Sequence, residues 1–133
     1  MILVDSSVWI DYFRGADTRE TDLLDGLLGT HLLATGDLML AEVLQGFRSD
    51  SEFDQAGRLF AGLDIVTLGG PEIALQAAKN FRTLRARGIT TRKTIDTIIA
   101  TRCIADGHAL LYSDRDFDPF VEHLGLRTAQ ALR

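Results

Sequence analysis

The stretch MILVDSSVWIDYFRG, residues 1–15, contains the pattern that decides the fold. Its residues 2–4 form a short apolar run, which is typical of a buried strand. Asp5 follows that run at once, and a serine at position 6 or 7 is a suitable N-cap for the helix that comes next. This helix carries apolar residues at helical spacing and ends at Gly15. A strand joined directly to a helix indicates an α/β fold, and a carboxylate stands at the junction.

The rest of the chain repeats this alternation of apolar strands and helices. The spacing predicts helices over residues 23–28, 37–46, 51–63 and 94–106, a long helix that Pro71 opens and that ends before Gly88, and a last short helix after Pro119. Short apolar runs predict strands over residues 65–68 and 109–112, and the pattern also allows a final strand near Leu126. Such alternation is typical of a mainly parallel central sheet with helices on both faces. Sites in these folds form outside the carboxyl ends of the strands.

Length and composition are those of an ordinary globular protein. The chain has 133 residues, of which 46% are apolar and 25% are charged, so we expect a single domain spanning residues 1–133. The single cysteine, Cys103, excludes an internal disulfide. The N-terminal apolar run follows no basic region and is too short for a signal peptide or a membrane span. We therefore expect no membrane association and a location in the reducing cytoplasm.

The net charge of −5 argues against a nucleic-acid partner, but the basic residues are unevenly distributed. Six of the 14 Lys and Arg residues lie between positions 79 and 93. A solvated helix face is one interpretation of this stretch, and contact with nucleic-acid phosphates is the other. The candidate phosphate contacts are Arg85, Arg87, Arg92 and Lys93.

Four carboxylates occupy positions where a simple surface acid is not expected. Asp5 directly follows the first strand, and Asp114 follows the strand over residues 109–112 after one serine. Glu42 and Asp96 lie on helices, and their neighbours three and four positions away are mostly apolar. Both side chains should therefore face the interior, where a lone carboxylate is costly unless it is protonated or partnered.

We predict that these four carboxylates converge on divalent metal. Two carboxylates about 4 Å apart repel by roughly 4 kcal/mol at an effective dielectric near 20, and a bound cation removes that repulsion. Oxygen ligands favour hard ions, which indicates Mg²⁺ with Mn²⁺ as a substitute. Two such ions can activate a water and stabilise the leaving oxygen in phosphodiester cleavage. Arg or Lys partners for Glu42 and Asp96 are the alternative, purely structural explanation.

Three further residues near these acids are candidates for supporting roles. Asp116 is either a fifth ligand or an acid just outside the ligand shell. Ser6 and Ser113 are candidates to orient carboxylates or metal-bound waters by hydrogen bonding, although helix capping accounts equally well for Ser6. Asp118 precedes Pro119 and is therefore expected to cap the last helix.

Four segments of the chain resemble one known family: DSSVWID (residues 5–11), AEVLQG (41–46), IDTIIA (95–100) and SDRDF (113–117). Together they resemble the PIN-domain nucleases, and more narrowly the VapC-type toxins of bacterial toxin–antitoxin systems. The resemblance covers essentially the whole chain. It implies a three-layer α/β/α sandwich and a Mg²⁺-dependent endoribonuclease, in which Ser113 matches the family's usual Ser or Thr. The acidic quartet it implies, often supported by Asp116, is Asp5, Glu42, Asp96 and Asp114.

The resemblance also implies partners. Such toxins commonly form homodimers and are silenced by a VapB-type antitoxin. An antitoxin arginine could enter the acidic pocket, since guanidinium pairs bidentately with carboxylates. We expect an apolar groove beside that pocket, lined by Trp9, Tyr12 and Phe13, to receive the rest of the antitoxin segment or a second copy of the chain.

A metal-binding PIN-like interaction domain without catalytic activity is the alternative function that remains open. Other classes of similar size fit less well. A phosphoacceptor signalling domain requires a Lys after a late strand, where this chain has Asp114. A haloacid-dehalogenase-type phosphatase requires an Asp where Ser7 stands, and an adhesion-type metal module requires a Ser in place of Trp9.

Overall fold

Five parallel strands form the central sheet of the computed structural model, which describes residues 1–132. The strands are β1 (Ile2–Val4), β2 (Leu33–Gly36), β3 (Asp64–Val66), β4 (Ala109–Leu111) and β5 (Arg127–Thr128). The helices that connect them are α1 (Ser6–Phe13), α2 (Arg19–Leu27), α3 (Asp37–Leu44), α4 (Asp50–Ala61), α5 (Pro71–Ala86), α6 (Thr94–Asp106) and α7 (Asp118–Leu124). Two short 3₁₀ segments comprise Arg115–Phe117 and Ala129–Leu132. Within the described residues, no helix has both the length and the apolar character needed to cross a bilayer.

The strand order is β3-β2-β1-β4-β5, so the N-terminal strand lies at the centre of the sheet. Ile2 of β1 aligns with Leu33 of β2 on one side and with Ala109 of β4 on the other. Because every pairing is parallel, the carboxyl ends of the strands meet at one edge. The predicted α/β fold with a parallel sheet is confirmed.

Each face of the sheet has its own apolar core, because successive residues of a strand point to opposite faces. Leu3 packs on one face against residues that come mainly from α5, α6 and α7. Ile2 and Val4 pack on the other face against residues of α1 to α4. This is the three-layer α/β/α arrangement. All three residues of β1 are buried, which explains why the strand is a continuous apolar run.

Strand β2 is the element that the sequence does not predict. Its four residues, LATG, are all buried, but only the first two are apolar, so the segment lacks the run that marks β1. Gly36 at its end allows two side chains to approach closely, because a Cβ there would overlap Leu68, which follows β3, and would lie 2.7 Å from Met39 Sδ of α3. The other predicted elements are observed, with bounds that differ by a few residues.

Two helix starts differ from the prediction. Asp5, rather than Ser6 or Ser7, is the N-cap of α1, and its carboxylate accepts from the backbone N–H of Ser7. Asp118 is the first residue of α7 rather than its cap, and its carboxylate accepts a hydrogen bond of 2.8 Å from the Tyr112 hydroxyl. The local pattern identified where these helices begin, whereas the identity of the cap depends on which oxygen faces the free N–H groups.

Candidate metal centre

The first predicted acid, Asp5, stands between the central strand β1 and the start of α1. Its side chain is buried, with a relative exposure of 3%. The Ser7 backbone N–H donates to Asp5 Oδ2 at 3.1 Å, and the Ser7 hydroxyl donates to the same oxygen. Burial raises the pKa of Asp5, and these hydrogen bonds lower it only in part. The Asp114 charge raises this pKa further.

Glu42 lies on α3, which follows β2, and its side chain is half-buried beside α1. Ser6 Oγ donates to Glu42 Oε1 at 3.3 Å, so the two helices are joined at this point. The pKa of Glu42 is raised, first by burial and then by the charge of Asp5, whereas Ser6 and Lys93 lower it. The influence of Asp5 indicates that the two acids are neighbours.

Asp96 lies in the first turn of α6 and is buried, as its apolar helix face predicts. Its Oδ2 atom is fully buried and has no hydrogen-bond partner among the described residues. Burial raises the pKa of Asp96 to about 7, and the charges of Asp5, Asp114 and Glu42 add to the rise. Lys93 opposes it. The other three predicted acids therefore all act on Asp96.

Asp114 and Asp116 complete the cluster from the turn that follows β4. Asp114 is the N-cap of the 3₁₀ segment there, and its Oδ1 accepts from the Asp116 backbone N–H at 2.9 Å. One oxygen each of Asp96, Asp114 and Asp116 lies within 4.8 Å of the other two. Asp5 and Glu42 stand outside that closest group, although their charges act on Asp96.

Two basic residues of the loop before α6 lie against the acids. Lys93 Nζ is 3.5 Å from Asp114 Oδ2, and Arg92 is 3.9 Å from Asp116. The nearby carboxylates, Asp96 above all, raise the pKa of Lys93. The other two candidate phosphate contacts have different surroundings. Arg85 lies over the ring of Phe81, 5.5 Å from its centroid, and the Arg87 guanidinium donates to the His123 carbonyl at 3.5 Å.

The three serines near the cluster have different hydrogen-bond partners, which the sequence alone does not distinguish. Ser6 contacts Glu42, whereas Ser113 is exposed and donates its backbone N–H to Ser7 Oγ at 3.2 Å. Ser7 therefore joins Asp5 to the turn after β4, and sequence reasoning considered it only as a helix cap. Its position two residues after an acid at a strand end is a pattern that could have indicated this role.

A cleft of about 530 Å³ adjoins the cluster and shares Glu42 with it. Apolar and charged side chains from α1, α3, α4 and the loop between α3 and α4 line it: Ile10, Phe13, Val43, Phe47, Arg14, Arg48 and Glu52. Trp9 does not contribute, because it is completely buried against Phe60. The expectation that Trp9 supplies surface here is therefore wrong, and Ile10, with 39% relative exposure, supplies it instead.

The chemistry of the cluster fits a hard divalent cation. Its donors are carboxylate oxygens from separate elements, and a buried Asp96 oxygen lacks a protein donor. Mg²⁺ and Mn²⁺ prefer such ligands. Burial is the main cause of the raised pKa values of Asp5, Glu42 and Asp96, and a cation would offset the repulsion between carboxylates that raises them further.

Known proteins are similar to this chain over nearly its whole length. The family model of the PIN domain matches residues 2–121. Ribonuclease VapC11 of Mycobacterium tuberculosis is 29% identical over 131 residues, which cover 97% of this chain and 98% of that relative.

Solved structures share the fold. VapBC2 from Rickettsia felis, bound to a promoter DNA fragment, aligns with a TM-score of 0.71 at 18% identity, covering 96% of this chain and 97% of that one. A toxin–antitoxin complex from Klebsiella pneumoniae aligns with the same TM-score, identity and coverage. At this identity the two structures establish similarity of fold.

Proposed function

The chain belongs to the PIN domain family, and on that premise we propose that it is a metal-dependent endoribonuclease, the toxin of a type II toxin–antitoxin system. The similarity to Ribonuclease VapC11 extends over 97% of this chain and 98% of that relative, and it supports RNA as the substrate. The reaction is hydrolysis of a phosphodiester bond in RNA, carried out in the cytoplasm.

The observation that carries this proposal is the environment of Asp96. One of its oxygens is buried without a hydrogen-bond donor, at a point where Asp114 and Asp116 direct further oxygens within 4.8 Å. A buried acceptor without a partner is costly, and repulsion between carboxylates adds to the cost. A divalent cation removes both costs. We therefore propose Mg²⁺ as the cofactor, with Mn²⁺ able to substitute.

Five carboxylates form the proposed metal site, the first four catalytic and the fifth supporting: Asp5, Glu42, Asp96, Asp114 and Asp116. When bound, divalent cations supply the Lewis acidity that makes a water nucleophilic and offsets charge on the leaving oxygen. The protein's own part is orientation. Ser7 holds Asp5, Ser6 holds Glu42, and the Ser113 backbone N–H holds Ser7.

Basic residues from the last turn of α5 to the start of α6 are the proposed contacts to RNA phosphates. Arg92 and Lys93 are exposed at the edge of the acidic cluster, where a scissile phosphate would have to lie. Arg85 and Arg87 are exposed farther along the same segment and would contact the flanking backbone. Such contacts position RNA and carry little sequence information.

We further propose that a VapB-type antitoxin silences the enzyme and that the toxin forms a homodimer. The similarity of fold to VapBC2 and to a toxin–antitoxin complex supports an antitoxin partner. The cleft beside Glu42 suits a bound peptide segment, since both apolar and charged residues line it. A guanidinium entering from this cleft would meet the carboxylates directly.

Incubation of the purified protein with RNA, with and without Mg²⁺, tests the proposed activity. We expect cleavage only with Mg²⁺, and a loss of roughly 100-fold or more in each of four variants, because each removes one charged ligand. The variants are Asp5→Asn, Glu42→Gln, Asp96→Asn and Asp114→Asn. The matched control is Asp54→Asn, which removes an exposed carboxylate of α4.

Cleavage that persists in Asp96→Asn, or that proceeds without divalent metal, would contradict the assigned site. Metal binding without cleavage of any RNA would instead favour a catalytically silent PIN-like interaction domain. If RNA is cleaved, mapping the cleaved ends would identify the preferred RNA sequence or structure.

A further inference from the structure

Lys93 is the positive charge most closely associated with the carboxylate cluster. Its Nζ lies 3.5 Å from Asp114 Oδ2. Its charge also acts on Asp96 and on Glu42, whose pKa values it lowers against the effect of burial. One ammonium group therefore compensates three acids that come from three different elements: α3, α6 and the turn after β4.

The other charged groups around this ammonium are mostly acids. Asp96, Asp114 and Asp116 all act on Lys93. Arg92 is the neighbouring cation, but it is 83% exposed and contacts Asp116 at 3.9 Å. A compact point charge suits this position, because it contacts Asp114 while its field acts on the neighbouring carboxylates.

The Lys93 side chain is also free to move away from Asp114. It is 61% exposed, and within residues 1–132 its ammonium contacts no hydrogen-bond acceptor other than Asp114. Lys93 is the N-cap residue of α6, and its backbone there is extended. The long aliphatic stem allows the ammonium to move several ångströms without a change in the fold.

We propose that Lys93 is an internal counter-cation of the metal site: its ammonium compensates Asp114 and Asp96 until a divalent cation binds, and that cation displaces it. This inference rests on the proposed metal-dependent function and adds a regulator of metal affinity that lies within the chain. Once displaced, the ammonium lies beside the same carboxylates, within reach of a substrate phosphate.

Loss of Lys93 should change the metal affinity in the direction opposite to loss of a residue that supports the metal site. Loss of a residue that merely supports the site would weaken metal binding. Loss of a competing cation must strengthen it, because the metal no longer displaces an ion pair. The direction of the change in metal affinity therefore distinguishes the two roles.

The test is isothermal titration calorimetry, in which Mn²⁺ is titrated into the metal-free protein in the absence of RNA. We expect Lys93→Gln to bind Mn²⁺ about threefold to fivefold more tightly, the range for loss of an exposed ion pair. Lys93→Arg, which keeps the charge, should bind like the unmodified protein. Arg58→Gln, which removes one positive charge from the exposed side of α4, is the matched control and should leave the affinity unchanged.

Thermal unfolding gives a second measurement on the same proteins. Metal-free Lys93→Gln should unfold at a lower temperature than the unmodified protein, because its carboxylates have lost their counter-charge. Mn²⁺ should raise its unfolding temperature by a larger increment. Agreement of both measurements would show that the variant is folded and that its metal site is intact.

Unchanged or weaker Mn²⁺ binding by Lys93→Gln would overturn the proposal, as would equal tightening in Arg58→Gln. Failure of the unmodified protein to bind Mn²⁺ would overturn it as well. The expected pattern of metal affinities in a protein that cleaves no RNA would support the role of Lys93 while refuting the proposed ribonuclease function.

Discussion

Ser7 holds the carboxylate of Asp5 from two directions. Its backbone N–H lies 3.1 Å from Asp5 Oδ2, and its hydroxyl donates to the same oxygen while accepting from the Ser113 backbone N–H at 3.2 Å. One side chain thus connects the end of β1, the first turn of α1 and the turn after β4. Helix capping and orientation of a proposed metal ligand depend on the same atoms.

We expect Ser7→Ala to weaken both stability and metal binding. The Ser113 N–H loses its acceptor, which should lower the free energy of unfolding by about 1 kcal/mol. Because the hydrogen bond from the Ser7 hydroxyl lowers the pKa of Asp5, its loss raises that pKa further, and protons compete better with metal, although the backbone N–H of residue 7 still donates to Asp5. Urea unfolding and Mn²⁺ titration measure the two effects. Ser51→Ala, at an exposed position of α4, is the control, and equal behaviour of the two variants would refute this interpretation.

The metal-free protein should become less stable as pH rises from about 4 to about 7. The pKa of Asp96 is raised from 3.8 to about 7, so in this range the folded protein keeps a proton that the unfolded chain releases. The free energy of unfolding then falls as pH increases. Raised pKa values at Asp5 and Glu42 act in the same direction.

Urea unfolding at a series of pH values, with a chelator present, measures this dependence. We expect Asp96→Asn to show a shallower decline and to be more stable than the unmodified protein at neutral pH, with unfolding about 5 °C higher. Asp54→Asn should retain the full decline. Stability that increases with pH across this range would contradict the expectation.

Removal of the four basic residues together should flatten the salt dependence of RNA binding. The variant replaces Arg85, Arg87, Arg92 and Lys93 with Gln in an Asp96→Asn background, which prevents cleavage. Each lost phosphate contact should lower the slope of log affinity against log salt by about 0.7 for single-stranded RNA. Two double variants, one at Arg85 and Arg87 and one at Arg92 and Lys93, separate the contributions to this slope. We expect the second pair, which lies at the carboxylates, to contribute more. An unchanged slope would identify the segment as a solvated helix face.

A peptide from the cognate antitoxin should bind more weakly as Mg²⁺ increases. The carboxylate cluster has a negative potential that attracts a guanidinium, and Mg²⁺ competes for the same oxygens. Replacement of the peptide's arginine by alanine should reduce inhibition and remove the dependence on Mg²⁺. Fluorescence anisotropy at several Mg²⁺ concentrations measures both effects. Affinity that responds to neither change would locate inhibition elsewhere on the surface.

We expect the cleft to make a separate contribution to antitoxin binding that does not depend on metal. Ile10 lines the cleft and is 39% exposed. Ile10→Ser should therefore weaken peptide binding by about tenfold, as expected when one apolar side chain is no longer buried in the complex. Leu75→Ser is the matched control, because Leu75 is 61% exposed on α5 and lies outside the cleft. Equal weakening by the two substitutions would refute the cleft as the binding surface.

Local patterns in the sequence were sufficient to predict most elements and the burial of Asp96. The run before Asp5 predicted β1, and the apolar neighbours of Asp96 predicted its burial, because both signals depend on residues a few positions apart. The same reasoning missed β2. Its four residues become a strand through pairing with β1 on one side and β3 on the other, and neither partner is adjacent in sequence.

The sequence by itself determined the class of fold, the order of most elements and the acids that interrupt apolar positions, because periodicity and residue chemistry are local properties. Only the tertiary structure decided that β1 is the central strand, that Ser7 holds Asp5, and that Lys93 pairs with Asp114. Lys93 and Asp114 are separated by α6 and β4 along the chain. They meet because the parallel sheet and the packing of α6 bring both segments to one edge, and a contact of this kind leaves no periodic signal in the sequence.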